Sequence, residues 1–116
     1  GAHIHKSVAA VEGESVMVKS EINGFKNSTL KDILDESKVD SLVIVGAMSH
    51  ICIDAATRAA SDIGYTCAVA HDACATLDVE FDGVTVPAKE VHAAFMSALA
   101  FGYANVTTTD EILAGL

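Results

Sequence analysis

Hydrophobic periodicity divides the 116 residues into alternating strand and helix patterns. Residues 15–19 (SVMVK) form a short β-rich run, and Gly24 then breaks the chain. Asn27 or Ser28 is placed to N-cap a helix through about Glu36, with Leu30, Ile33 and Leu34 on its buried face. Residues 41–46 (SLVIVG) are continuously apolar, the pattern of a strand covered on both faces. Ser49 is placed to cap a second helix reaching about Ile63, where Gly64 supplies the stop. Cys52, Ala55, Ala56, Ala59, Ala60 and Ile63 recur along it at helical spacing, and the small Ala side chains let it lie close on a sheet. Residues 65–70 (YTCAVA) are the next strand. Residues 73–86 hold the turn signal Asp82-Gly83 in a loop or short hairpin. Pro87 in a first turn opens a helix ending near Phe101, with Gly102 at its C′ position. A short strand at 105–107 follows, and Thr109 caps a last helical turn. Strands alternating with helices of this length imply βαβ units, hence an α/β fold with a mostly parallel sheet. No repeat, low-complexity tract or linker interrupts the pattern, so one domain over residues 1–116 is expected.

Composition narrows the class. With 51% hydrophobic and 20% charged residues the chain matches an ordinary globular domain, able to bury roughly 65% of its unfolded surface, and disorder is excluded. Aromatic residues are 5% and Trp is absent, so the core is built from Ala, Val, Ile and Leu. The formal charge is −9, and no Lys/Arg stripe breaks it. Nucleic-acid and anionic-membrane partners are therefore not expected, because both need phosphate neutralisation. The longest apolar stretches, such as 42–47, are too short to span a bilayer, and no apolar segment of a signal peptide follows the first residues; a cytoplasmic protein is expected. Three Cys without a CxxC pair argue against a disulfide framework or zinc ribbon.

Open parallel sheets bind ligands at the carboxyl ends of their strands. In this reading Lys19 closes the first strand, residues 46–49 close the second and lead to Cys52, and His71-Asp72 close the third, so a Lys, a Cys and an acid meet at one edge. Behind a Ser49 cap, Cys52 is the third helical residue, where unpaired N–H groups and the helix dipole favour a thiolate. A neighbouring Lys19 ammonium favours it further. Backbone N–H groups of the 46–52 turn are candidate oxyanion donors. The structural alternative, Cys52 as a small core residue on an Ala-rich face, carries about equal weight on position alone. Cys67 and Cys74 read as structural.

Other candidates weigh less. His3 and His5 share one face of an extended segment, but a chain terminus with two His is more often no metal site. His50 is either a proton carrier or a solvent-facing residue at a helix start. Asp72 reads more readily as a cap or loop acceptor than as an active-site acid. Arg58 is expected to reach solvent or pair with Asp62. No GxGxxG or P-loop is present, and neither a cofactor nor a metal is expected.

The run VIVGAMSHICIDAATRAASDIGYTCAVAHDACAT resembles the Cys-bearing core of the isochorismatase-like, or cysteine hydrolase, superfamily, which includes nicotinamidases, N-carbamoylsarcosine amidases and isochorismatases. Upstream, VMVKSEINGFKNSTLKDIL resembles the family's strand, Lys, Phe and Thr-Leu helix; downstream, VPAKEVHAAFMSALAFGYANVTTTDEIL resembles its closing helix, last strand and terminal turn. The resemblance covers almost the whole chain. It implies a three-layer α/β/α architecture with a Rossmann-like sheet, a small-molecule substrate and a homo-oligomer, dimer or tetramer. Cys52 stands where the family has its nucleophile and Lys19 where it has the Lys of its triad. The Ala47–Met48 peptide falls where the family has a non-proline cis bond, aiming the Met48 and Cys52 N–H groups at the oxyanion. Isochorismatases that cleave a vinyl ether often lack this Cys, so its presence favours an amidase-type reaction through a thioester.

One departure stands out. The family's general base is an Asp at the end of a first strand, and this chain begins after that strand. The family's sheet order 3-2-1-4-5-6 makes that strand central, and its absence leaves unpaired backbone on its neighbours. A fragment, a truncated gene product, and a chain completed by rearrangement or by a swapped partner all remain open. Three functions follow: a cysteine amidohydrolase of a small amide or ureido compound, a non-catalytic scaffold or oligomer-forming domain, and a thiol redox sensor using Cys52.

Overall fold

The structure, a computed structural model, describes residues 3–116. A 3-10 turn at Lys6–Val8 leads into irregular chain, after which the elements run α1 Leu30–Glu36, β1 Ser41–Ala47, α2 Cys52–Asp62, β2 Thr66–Ala75, β3 Val79–Phe81, β4 Val84–Val86, α3 Ala88–Gly102, β5 Asn105–Thr107 and α4 Thr109–Ala114. Three strands form a parallel sheet in the order β1-β2-β5, and β3 and β4 form a separate antiparallel hairpin. The expected α/β class with a mostly parallel sheet is thus observed.

The sheet carries helices unequally. On one face, Ile53 of α2 and Met96 and Leu99 of α3 enclose Val69, with Ile44, Cys74 and Val106 at the margin. Beside it Ala60, Tyr65 and Cys67 form a second cluster against Phe25, Leu34, Leu42 and Ile44, which seats α1 on the same side. Each such aliphatic side chain contributes about 1.5–3 kcal/mol on burial. Alternation sends Val43 and Val45 to the opposite face, where only α4 covers the sheet among the described residues. Both valines stay 52% exposed, so among the described residues the second face of β1 is only partly covered, where its apolar run suggested two covered faces.

Register explains why β2 extends five residues beyond the expected 65–70. Ile44 pairs with Val69 but Gly46 with Cys74, so β2 loops out between the two pairs and then rejoins β1 up to Ala75. Gly46 has φ +130°, a conformation glycine alone adopts readily. The Asp82-Gly83 signal becomes the two-residue turn of the β3–β4 hairpin, both residues having positive φ (50° and 76°), as a type I′ turn requires.

Several boundaries move for local reasons. Residues 15–19 form no strand: they have no ladder partner among the described residues, and Val16 and Val18 are exposed. Helix α1 starts at Leu30, after Thr29, and the Ser28 hydroxyl accepts the Leu30 N–H just outside it. Pro87 is the residue before α3, and Gly102 is its last residue rather than the first beyond it. Thr108, not Thr109, caps α4 by accepting the Glu111 N–H. No helix among the described residues is long and apolar enough to cross a membrane.

Candidate active site

The chain leaves β1 at Ala47, reverses through residues 48–51 and enters α2 at Cys52. The Ala47–Met48 peptide is cis. Met48 O accepts the N–H groups of Ile51 (3.1 Å) and Ile53 (3.2 Å), and Ser49 N–H donates to Ala75 O (3.0 Å), pinning the turn to the end of β2. Met48 and Cys52 N–H are left without an acceptor among the described residues. Both belong to the short stretch of chain that ends at half-buried Cys52.

Ser49 is not the helix cap. Ile51 precedes α2, without a side-chain cap bond, and Cys52 is the first helical residue instead of the third. The Ser49 hydroxyl is completely buried and sits 2.7 Å from His92 Nδ1 of α3. A cap hydroxyl must reach forward to its own helix; this one is held sideways by a residue 43 positions later in the chain. Cys52 still lies at the positive end of the α2 dipole.

Lys19 arrives from irregular chain rather than from a strand end. Its Nζ donates to Cys52 Sγ (3.3 Å), Glu21 O (2.8 Å) and Ile22 O (3.5 Å), which uses all three ammonium protons. The turns after it shape this cradle. Asn23 Oδ1 accepts the Phe25 N–H, Asn23 O accepts that of Lys26, and the Glu21 carboxylate pairs with Lys26. Gly24 lies against the aliphatic stem of Lys19, and Phe25 anchors the segment on the Tyr65 ring.

The remaining candidates go elsewhere. Asp72 lies in the looped-out part of β2 and accepts both the N–H and the hydroxyl of Thr109 at 2.8 Å. The Thr109 hydroxyl and N–H hold its carboxyl below the usual carboxylate range, so the acid meets α4 rather than joining Lys19 and Cys52. His50 is half-buried, with Nδ1 2.7 Å from Thr76 Oγ1 and its ring edge-on to Phe95. Arg58 pairs with Asp54 instead of Asp62 and lies over the Tyr103 ring; an acid one turn N-terminal to the base is the favoured orientation. Burial pushes the Cys67 and Cys74 thiols up. His5 turns to Ser7, His3 is exposed, and no three potential metal ligands cluster among the described residues. The contact of His92 with Ser49 had no signal in the sequence, because one His in an apolar helix carries no local mark of a partner on another element.

Residues 1–111 match the isochorismatase domain, and the chain belongs to that family. It is 48% identical over 113 residues to the isochorismatase family protein YddQ of Bacillus subtilis, a match covering 97% of this chain and 63% of YddQ. It is 34% identical over 79 residues to streptothricin hydrolase of Streptomyces noursei, covering 68% of this chain and 29% of that protein. An isochorismatase-type crystal structure from Oleispira antarctica superimposes with a TM-score of 0.96 at 66% identity, covering 98% of this chain and 60% of that one. The chain thus spans about three fifths of the length of YddQ and of the Oleispira protein.

Proposed function

We propose that this chain carries the nucleophile and cationic partner of a cysteine-dependent hydrolase acting on a small amide or ureido compound. The observation that supports it is the 3.3 Å approach of Lys19 Nζ to Cys52 Sγ beside two unengaged backbone N–H groups. In this reaction Cys52 Sγ attacks the substrate carbonyl carbon, and the negative charge moves to the carbonyl oxygen. The N–H groups of Met48 and Cys52 receive that oxygen, while Lys19 steadies negative charge on sulfur. The tetrahedral adduct collapses with cleavage of the C–N bond, and the nitrogen leaves with a proton. Water then cleaves the thioester to a carboxylic (or carbamic) acid and the free thiol. The thiol proton must pass to the leaving nitrogen through an acid–base group, and no carboxylate hydrogen-bonds Lys19 or Cys52 among the described residues. The name of streptothricin hydrolase supports hydrolysis as the reaction type.

The test is ammonia release from a panel of primary amides and ureido acids. We expect Cys52→Ala to lower turnover at least about 100-fold and Lys19→Ala at least about 10-fold, each leaving the fold intact. Release unchanged by Cys52→Ala overturns the proposal. A second reading, a non-catalytic oligomer-forming domain, is favoured by the outer edge of β1, with which no strand pairs among the described residues; turnover by the 116-residue chain rules it out.

A further inference from the structure

We infer that His92 is a positioning residue for the turn between β1 and α2, acting through Ser49. This rests on the reading of that turn as the oxyanion-binding element. Ser49 lies between the two proposed donors, Met48 and Cys52, and none of its surface reaches solvent. A buried hydroxyl needs a partner, and His92 Nδ1 at 2.7 Å is that partner. Any rotation of the turn that carries Ser49 away leaves a buried hydroxyl unpaired, so the pair defines one orientation of the peptide groups on either side.

His92 is well placed to act as a fixed post. It lies in the first turns of the 15-residue helix α3, next to buried Val91, and Met96 and Leu99 lock the same helix into the main core. One residue on, the turn is gripped again: the His50 ring meets Phe95 of α3 at 5.8 Å, and its Nδ1 lies 2.7 Å from Thr76 Oγ1. The Ser49 N–H to Ala75 O bond adds a third tether, to β2. Successive residues of the turn are thereby held to α3 and β2, while Met48 and Cys52 N–H remain open. His92 makes no hydrogen bond to Cys52 or Lys19, so its effect reaches the reacting atoms only through the backbone of residues 48–52.

Oxyanion donors act within a few tenths of an ångström, and a loosened donor weakens the transition state more than the bound substrate. His92→Leu is expected to lower kcat about 10-fold with KM within about 2-fold of wild type. His92→Asn, whose side-chain amide reaches the position of Nδ1, restores kcat to within about 3-fold. Ser49→Ala reproduces the loss, and the Ser49→Ala/His92→Leu double variant is no worse than either alone, as two residues acting in one contact require. Independently of turnover, amide hydrogen exchange at Ser49 accelerates at least about 10-fold in His92→Leu, returns in His92→Asn, and leaves β1 and the middle of α2 unchanged.

The inference is overturned by Ser49 exchange as slow as wild type in His92→Leu, by acceleration spread evenly over the domain, or by failure of His92→Asn to restore it. If His92→Leu does not fold, His92→Asn and Ser49→Ala decide: wild-type exchange at residues 48–52 in Ser49→Ala overturns the inference. A wild-type chain that turns over no amide removes the proposed hydrolase and leaves the exchange result to judge His92.

Discussion

Two short apolar runs, SVMVK at 15–19 and SLVIVGA at 41–47, look alike on paper and end differently. The second is β1, paired with β2 from Ser41 onward and seated through Leu42 and Ile44 on the helices. The first has no ladder partner among the described residues, and Val18 is 94% exposed. The difference teaches that extended structure belongs to a pair of strands and the face beneath them, not to a run of β-branched residues. It also shows what positions Lys19. The ammonium reaches Cys52 because the carbonyls of Glu21 and Ile22 and the packing of Phe25 hold the chain after it, without help from a strand.

The contrast can be broken from the packed side first. Leu99→Ala empties the centre of the main cluster and is expected to cost 2–5 kcal/mol, read as a lower denaturant midpoint, with β1 amides losing protection and those of 15–19 unchanged. A smaller effect belongs to the polar contact between α1 and the residue before β2. Tyr65 OH donates to Asp35 at the end of α1, and Lys31 pairs with the same carboxylate. The Lys31 ammonium, and then the Tyr65 hydroxyl, hold the Asp35 carboxyl below its ordinary range. With the folded value depressed, its contribution is complete above the unfolded value and is lost as pH falls through the folded one. Wild type is therefore expected to melt higher than Asp35→Asn near neutral pH, and melting curves recorded into the acid range should show that gap closing. Smallest of all, Val18→Ala is expected to shift stability by no more than about 0.5 kcal/mol, and a loss above 1 kcal/mol would mean that 15–19 is seated on something after all.

Much of the architecture was legible because it rests on local signals. The apolar run into Gly46, the Ala-rich stripe of α2, Asp82-Gly83 and Pro87 each mark a boundary by chemistry contained within a few residues. The juxtaposition of Lys19 with Cys52 was legible from the resemblance, while the strand end expected to deliver Lys19 is not there. What escaped were choices made between distant groups. Ser49 has the chemistry of a cap, yet His92 takes its hydroxyl. Asp72 has the chemistry of an active-site acid, yet Thr109 occupies its carboxylate. Arg58 has acids one turn away on both sides, and Asp54 prevails while the guanidinium also lies over Tyr103. In the first two cases tertiary placement selected the partner, whereas for Arg58 the choice follows the favoured order of acid before base on its own helix, with Tyr103 beside it.

The outer edge of β1 has a consequence for the behaviour of many copies together. No strand pairs with it among the described residues, an edge of that kind is a template for another chain's backbone, and the 52% exposed Val43 and Val45 add an apolar strip beside it. Against this stands a charge of −9 on each copy, whose mutual repulsion fades over about 10 Å at 0.1 M salt and about 3 Å at 1 M. Association between copies is therefore expected to depend on ionic strength: light scattering should find them apart in dilute buffer and increasingly associated in concentrated salt.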